Sequence, residues 1–139
     1  MSNNDKNAPA QTALDTSEQR QEYRLTAEET VYLEVEPALT ESHNATIVVS
    51  TSLDMSANGL RVITDQELVL GKIMRTCVLL RASGQQFLLI TEVKWARPYG
   101  DAGEFLIGLS LYESEGSDIQ RWKEFIASAC ESEQGGNEY

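Results

Sequence analysis

The chain has 139 residues and 41% hydrophobic content, which suits one domain of ~100–200 residues with a real core. Its 22 acidic residues against 11 Lys and Arg give a net charge of −11, which argues against general binding to nucleic acid or anionic membrane, where clustered cations replace counterions. There is no apolar run near the ~20 residues of a spanning helix and no signal-like stretch in residues 1–19, so the sequence reads as a soluble, cytoplasmic protein.

Residues 1–19 are polar and aperiodic. They read as a flexible, disordered N-terminal tail, because they cannot bury enough apolar area to offset the entropy of ordering. Residues 20–130 read as one folded unit. Its middle is written in period two, the mark of half-buried strands. Val31, Leu33 and Val35 alternate with Tyr32, Glu34 and Glu36 before Pro37. Ile47, Val49 and Leu53 follow in a β-branched stretch, and Leu60 and Val62 resume after Gly59. Beyond Gly71, Met74, Thr76, Val78 and Leu80 share a face opposite Arg75, Cys77 and Arg81. Ser83-Gly84 marks a hairpin turn. Phe87, Leu89, Val93 and Trp95 line the next strand, and Pro98 and Gly100-Asp101 separate it from Phe105, Ile107, Leu109 and Leu111. Six strands so spaced suggest a small antiparallel barrel or sandwich.

One helix at about 117–130 closes the folded part. Ser117 suits its cap, Asp118 its positive end, and Ile119, Trp122, Phe125, Ile126 and Ala129 form one stripe. Such a stripe serves as a cover on the barrel or as a partner-binding ridge. Residues 131–139, with Gly135-Gly136, read as a flexible C-terminal tail.

No catalytic constellation emerges, so the chain reads as a non-enzyme. The one histidine, His43, lies in a polar stretch, which leaves no histidine-rich metal site. Cys77 and Cys130 form no C-x-x-C and read as free thiols. Asp101 and Glu104 flank a turn and read as a solvated hairpin rather than an acid/base pair.

The positive charge is unevenly placed: only Lys6, Arg20 and Arg24 precede Arg61. A spacing of four puts Arg20 and Arg24 on one side of a helix or a strand. Two guanidinium forks suit a phosphate or the O6/N7 edge of guanine; they equally suit ion pairs with Glu18, Glu22, Glu28 and Glu29. Asp54-Met55-Ser56-Ala57-Asn58-Gly59 lies between the second and third strands. Asp54 suits the N1 and N2 donors of guanine, Ser56 offers a hydroxyl to phosphate or local backbone, and Gly59 supplies positive φ or close approach. The same residues also make a plain turn.

Taken together, Arg20-x-x-x-Arg24 before a first strand and Asp54-x-Ser56-x-x-Gly59 leading to the third resemble the PilZ domain family. Leu60-Arg61-Val62, Leu70-Gly71, Val93-Lys94-Trp95-Ala96-Arg97, Gly108-Leu109 and the closing helix extend the likeness over residues 20–127. The resemblance implies an all-β fold with a C-terminal helix, a six-stranded antiparallel β-barrel. It also implies a bacterial, non-catalytic receptor for the second messenger cyclic di-GMP. By it Arg20 and Arg24 grip phosphate and guanine, Asp54 and Ser56 recognise the base, and Gly59 lets the turn approach the ligand. Trp95 stacks on a purine or belongs to the core, Arg97 adds charge, and Arg61 stands outward beside the site. Many members carry a further arginine where this chain has Gln19, which favours one ligand per site over a stacked dimer. With no output domain in the sequence, the signal is expected to pass to an effector protein through a re-posed N-terminal segment. The alternatives are a nucleotide-independent PilZ-like adaptor of type IV pilus or motility machinery and, more remotely, a small barrel enzyme or oligonucleotide binder. No cofactor and no membrane insertion are expected.

Overall fold

The computed structural model describes residues 24–35 and 46–137. The first 23 residues, including Arg20, and the segment 36–45 with His43 lie outside the described residues. The period-two stretches form strands: β1 (Arg24–Leu25), β2 (Thr30–Val35), β3 (Thr46–Ser56), β4 (Gly59–Thr64), β5 (Ile73–Leu79), β6 (Gln86–Tyr99) and β7 (Glu104–Leu111). Every pairing is antiparallel, in the order β3-β2-β5-β6-β7-β4, and β4 returns to β3. Six strands therefore close a barrel, as the sequence pattern and the family resemblance imply, and closure leaves these strands no long open edge.

The seventh strand is β1, which pairs with the far end of β3 through Arg24–Ser56 and Leu25–Met55. The break between β1 and β2 is filled by Ser52. Its hydroxyl donates to the Ala27 carbonyl and accepts from the Glu29 N–H at 2.8 Å, while its own N–H donates to Glu29 O at 2.9 Å.

Alternation sets the core. Val31, Leu33, Leu60, Val62, Val78, Phe87, Leu89 and Val93 point inward and are buried. Strand β3 departs from the expected face: Val48 and Ser50 are buried, while Ile47 and Val49 are 53% and 60% exposed. The ladder decides this, because Val31 pairs with Ser50 and Leu33 with Val48. Residues directly opposite share a face, so the fixed inward face of β2 carries Ser50 and Val48 with it. Ser50 is accommodated by donating to Val31 O at 2.8 Å.

Helix α1 (Ile119–Asn137) packs on β1, β3 and β6 and covers one end of the barrel. Trp122 is fully buried, edge-on to Phe87 with centroids 5.3 Å apart. Ser117 does not cap the helix as expected; its hydroxyl donates to Ser114 O at 2.7 Å. Asp118 instead docks the helix start on β6, donating its N–H to Leu88 O at 2.7 Å and accepting from Leu88 N at 2.8 Å. The helix also runs to Asn137 rather than ending near 130. Glu131 to Gln134 continue it, and Gly135 and Gly136 weaken a helix, by about 1 kcal/mol each, without forbidding it. Cys130 is buried and Cys77 half-buried.

Candidate functional site

The Asp54–Gly59 cluster is not an open turn but the tip of a tight hairpin. Asp54, Met55 and Ser56 end β3, Gly59 opens β4, and only Ala57 and Asn58 lie between. Ser56 is fully buried; its hydroxyl accepts from Asn58 N at 3.3 Å and donates to Gly59 O at 3.4 Å. The hydroxyl thus meets the local backbone of the hairpin tip. The Ser56 carbonyl accepts from the Trp122 indole N–H at 2.9 Å, which ties the hairpin to α1. Gly59 does not have positive φ. A Cβ there would lie 2.7 Å from the Leu109 carbonyl oxygen, so the close approach that needs glycine is between β4 and β7.

Two bulges re-aim the chemically important side chains. Between Ser52–Val62 and Asp54–Arg61 the register slips by one residue on β3, at Leu53. A bulge of this kind flips the faces that follow. Ser52 faces the core, whereas Asp54 turns toward Arg61 and Met55 takes the core side. On β6 the slip lies between Val93–Leu109 and Trp95–Gly108, at Lys94. Val93 is buried, but Trp95 is 36% exposed. Of its two sequence readings, the core one does not hold.

The Asp54 side chain is buried yet doubly paired. Arg24 Nη1 donates to Oδ1 at 3.1 Å. Arg61 Nε lies 3.1 Å from Oδ1 and 3.0 Å from Oδ2, and Arg61 Nη2 also donates to Oδ2. The hydrogen bond to Asp54, joined by its negative charge, raises the pKa of Arg61 above the ordinary arginine value against a smaller opposing effect of burial. Beside this cluster is a cavity of about 200 Å³, lined in part by Arg24, Gly59, Arg61, Lys94 and Trp95. The Trp95 ring lies across Gly108, where a Cβ would come within 2.2 Å of Trp95 Cε2. Arg97 sits over the other part of the assembly, 5.0 Å from the Trp95 ring centroid.

Thus Arg24, Asp54, Ser56, Gly59, Trp95 and Arg97 fall in one region, and Arg20 lies outside the described residues. Sequence reasoning left Lys94 and Gly108 out of the site and Arg61 undecided. An isolated glycine inside a strand, as at Gly108, marks a close approach and was the available signal. A pocket lined by guanidinium groups and an exposed indole can grip an anion and stack a planar ring, and the carboxylate of Asp54 behind the two arginines can accept from paired N–H donors. Among the described residues no cluster of His, Cys, Asp and Glu has a metal-binding arrangement, and no helix is long and apolar enough to cross a membrane.

A family model described as PilZ domain matches residues 18–128. Three solved structures share the fold. The Bacillus subtilis inhibitor of motility MotI/DgrA matches with TM-score 0.63 at 18% identity, over 84% of this chain and 52% of that one. The PilZ domain of YcgR from Escherichia coli, solved with c-di-GMP, matches with TM-score 0.59 at 14% identity, over 86% of this chain and 96% of that one. MrkH, a c-di-GMP-dependent transcription regulatory factor, matches with TM-score 0.55 at 14% identity, over 79% of this chain and 50% of that one. The chain thus spans about half the length of MotI/DgrA and of MrkH. No curated protein matches the sequence significantly.

Proposed function

The chain belongs to the PilZ domain family, and on that premise we propose that it is a non-catalytic, cytoplasmic receptor for cyclic di-GMP that signals to an effector protein. One observation carries the reading: Arg24 of the first family motif pairs with Asp54 of the second and, with the exposed Trp95, lines a cavity of about 200 Å³. Asp54 accepts from guanine N1 and N2, Trp95 stacks on the purine face, and Arg24 with Arg20 takes the phosphate and the O6/N7 edge. Gly59 and Ser56 serve by holding the hairpin tip in place. Lys94 and Arg97 add charge at the rim. Binding re-poses the segment around Arg20 and Arg24, and the re-posed segment alters the surface read by the partner.

Isothermal titration with cyclic di-GMP, beside GTP, GMP and cyclic di-AMP, tests the reading. Saturable binding of cyclic di-GMP alone, lost in Arg24→Ala and in Asp54→Ala, is the expected result, with one ligand per site. Backbone NMR signals of residues 10–30 shift on saturation; if they stay in place, the proposed re-posing is wrong. Absence of binding would leave the nucleotide-independent adaptor, for which Arg24→Ala leaves partner binding intact.

A further inference from the structure

Asp54 is held by two cations that differ in how they are placed. Arg61 grips the carboxylate side-on, with Nε toward both oxygens and Nη2 on Oδ2, whereas Arg24 contributes one bond from Nη1 to Oδ1. Arg61 stands directly across the ladder from Asp54 on β4, a strand paired on both sides. Arg24 stands on the two-residue β1, which among the described residues pairs with β3 alone, and its side chain is 46% exposed against 33% for Arg61. A fork fixes both the position and the plane of a carboxylate, which a single bond does not.

We propose that Arg61 is the positioning residue of the recognition carboxylate: it fixes Asp54 for the paired donors of guanine, and the ligand displaces Arg24 rather than Arg61. The proposal rests on the cyclic di-GMP reading above and deepens it. The Asp54 side chain is only 7% exposed, and stripping a buried carboxylate of its cation is costly. With Arg61 in place, Asp54 keeps a compensating charge while Arg24 turns to the ligand. Without Arg61, Arg24 is the remaining cation on Asp54 among the described residues. Its departure would then strand the carboxylate, so recognition and release would oppose each other. Arg61 therefore acts through Asp54 and not by its own contact with the nucleotide. The fixed plane also sets selectivity, since guanine offers two adjacent donors on that edge and adenine does not.

A double-mutant cycle tests this on the full chain. Cyclic di-GMP is titrated into wild type, Arg61→Ala, Asp54→Asn and the double variant. Cyclic di-AMP serves as the selectivity probe. Arg61→Ala weakens cyclic di-GMP binding tenfold or more and narrows the preference over cyclic di-AMP. Arg61→Lys keeps the charge and the aliphatic stem but lacks the fork, so it loses nearly as much while remaining folded. In the Asp54→Asn background, Arg61→Ala changes affinity less than threefold. An equal fold-loss in both backgrounds would show that Arg61 meets the ligand on its own account and would overturn the proposal, as would full cyclic di-GMP affinity in Arg61→Lys. If wild type binds no cyclic di-GMP, the receptor reading fails and takes the proposal with it; binding with an additive cycle defeats the proposal alone.

Discussion

Gly108 lacks a side chain in the one place where the Trp95 ring needs to lie flat. A Cβ at that position would stand 2.2 Å from Cε2 and 2.3 Å from Nε1, and real atoms do not approach so closely. Gly108→Ala therefore displaces the indole from its seat. The expected result is a moved Trp95 indole N–H signal in the NMR spectrum and at least tenfold weaker cyclic di-GMP binding, given that a base stack contributes roughly 1–3 kcal/mol. Should the ring stay put, overpacking instead costs roughly 1–3 kcal/mol of stability, read as a lower denaturant midpoint. An unmoved ring, unchanged stability and unchanged affinity together would refute the assignment. The cation over the ring, Arg97, belongs to the same local assembly.

Strand β3 shows how one element serves three tasks by changing face. Its first half gives Val48 and Ser50 to the core and leaves Ile47 and Val49 outside. Ser52 then bridges β1 and β2, and after the slip at Leu53 Asp54 turns to Arg61 and Arg24. The face assignment has a direct test in chemical denaturation. Val49→Lys places a charge in water and changes stability by less than about 0.5 kcal/mol. Val48→Lys buries an unpaired ammonium and costs about 3 kcal/mol or more. Equal losses at the two positions would mean that the face assignment of β3 is wrong. Helix α1 holds the same strand from its other end, through the indole N–H of Trp122 on the Ser56 carbonyl.

At the scale of the whole molecule, the proposed function requires a net charge of −11 to admit a dianion. The long-range field opposes approach, whereas the affinity resides in short, partly desolvated arginine contacts. These two parts separate by range. The Debye length falls from about 30 Å at 0.01 M salt to about 8 Å at 0.15 M, so added salt screens the distant repulsion first. The association rate of cyclic di-GMP, followed by stopped-flow fluorescence, should rise over that interval. A falling rate would show that a local positive potential at Arg24, Arg61 and Lys94 dominates the encounter.

Much of this protein is written locally. Period-two hydrophobic stretches determine the six barrel strands, the apolar stripe of Ile119, Trp122 and Ile126 determines the helix, and Arg24 with Asp54–Gly59 marks where the site lies. Family resemblance adds the ligand class. What stayed illegible is which way particular side chains point. Trp95 continues the alternation of Phe87, Leu89 and Val93 in the sequence, yet the extra residue at Lys94 turns it outward. Asp54 is turned by Leu53 in the same manner, and Ile47 and Val49 are turned out by their pairing with β2. A strand's own sequence fixes its alternation but not its phase. Phase is set by register against the neighbouring strand, and a bulge is a mismatch between two strands that neither strand carries alone. The tertiary structure therefore decided that Arg61 faces Asp54, that Gly108 seats Trp95, and that Arg61, Trp95 and Gly108 line one pocket.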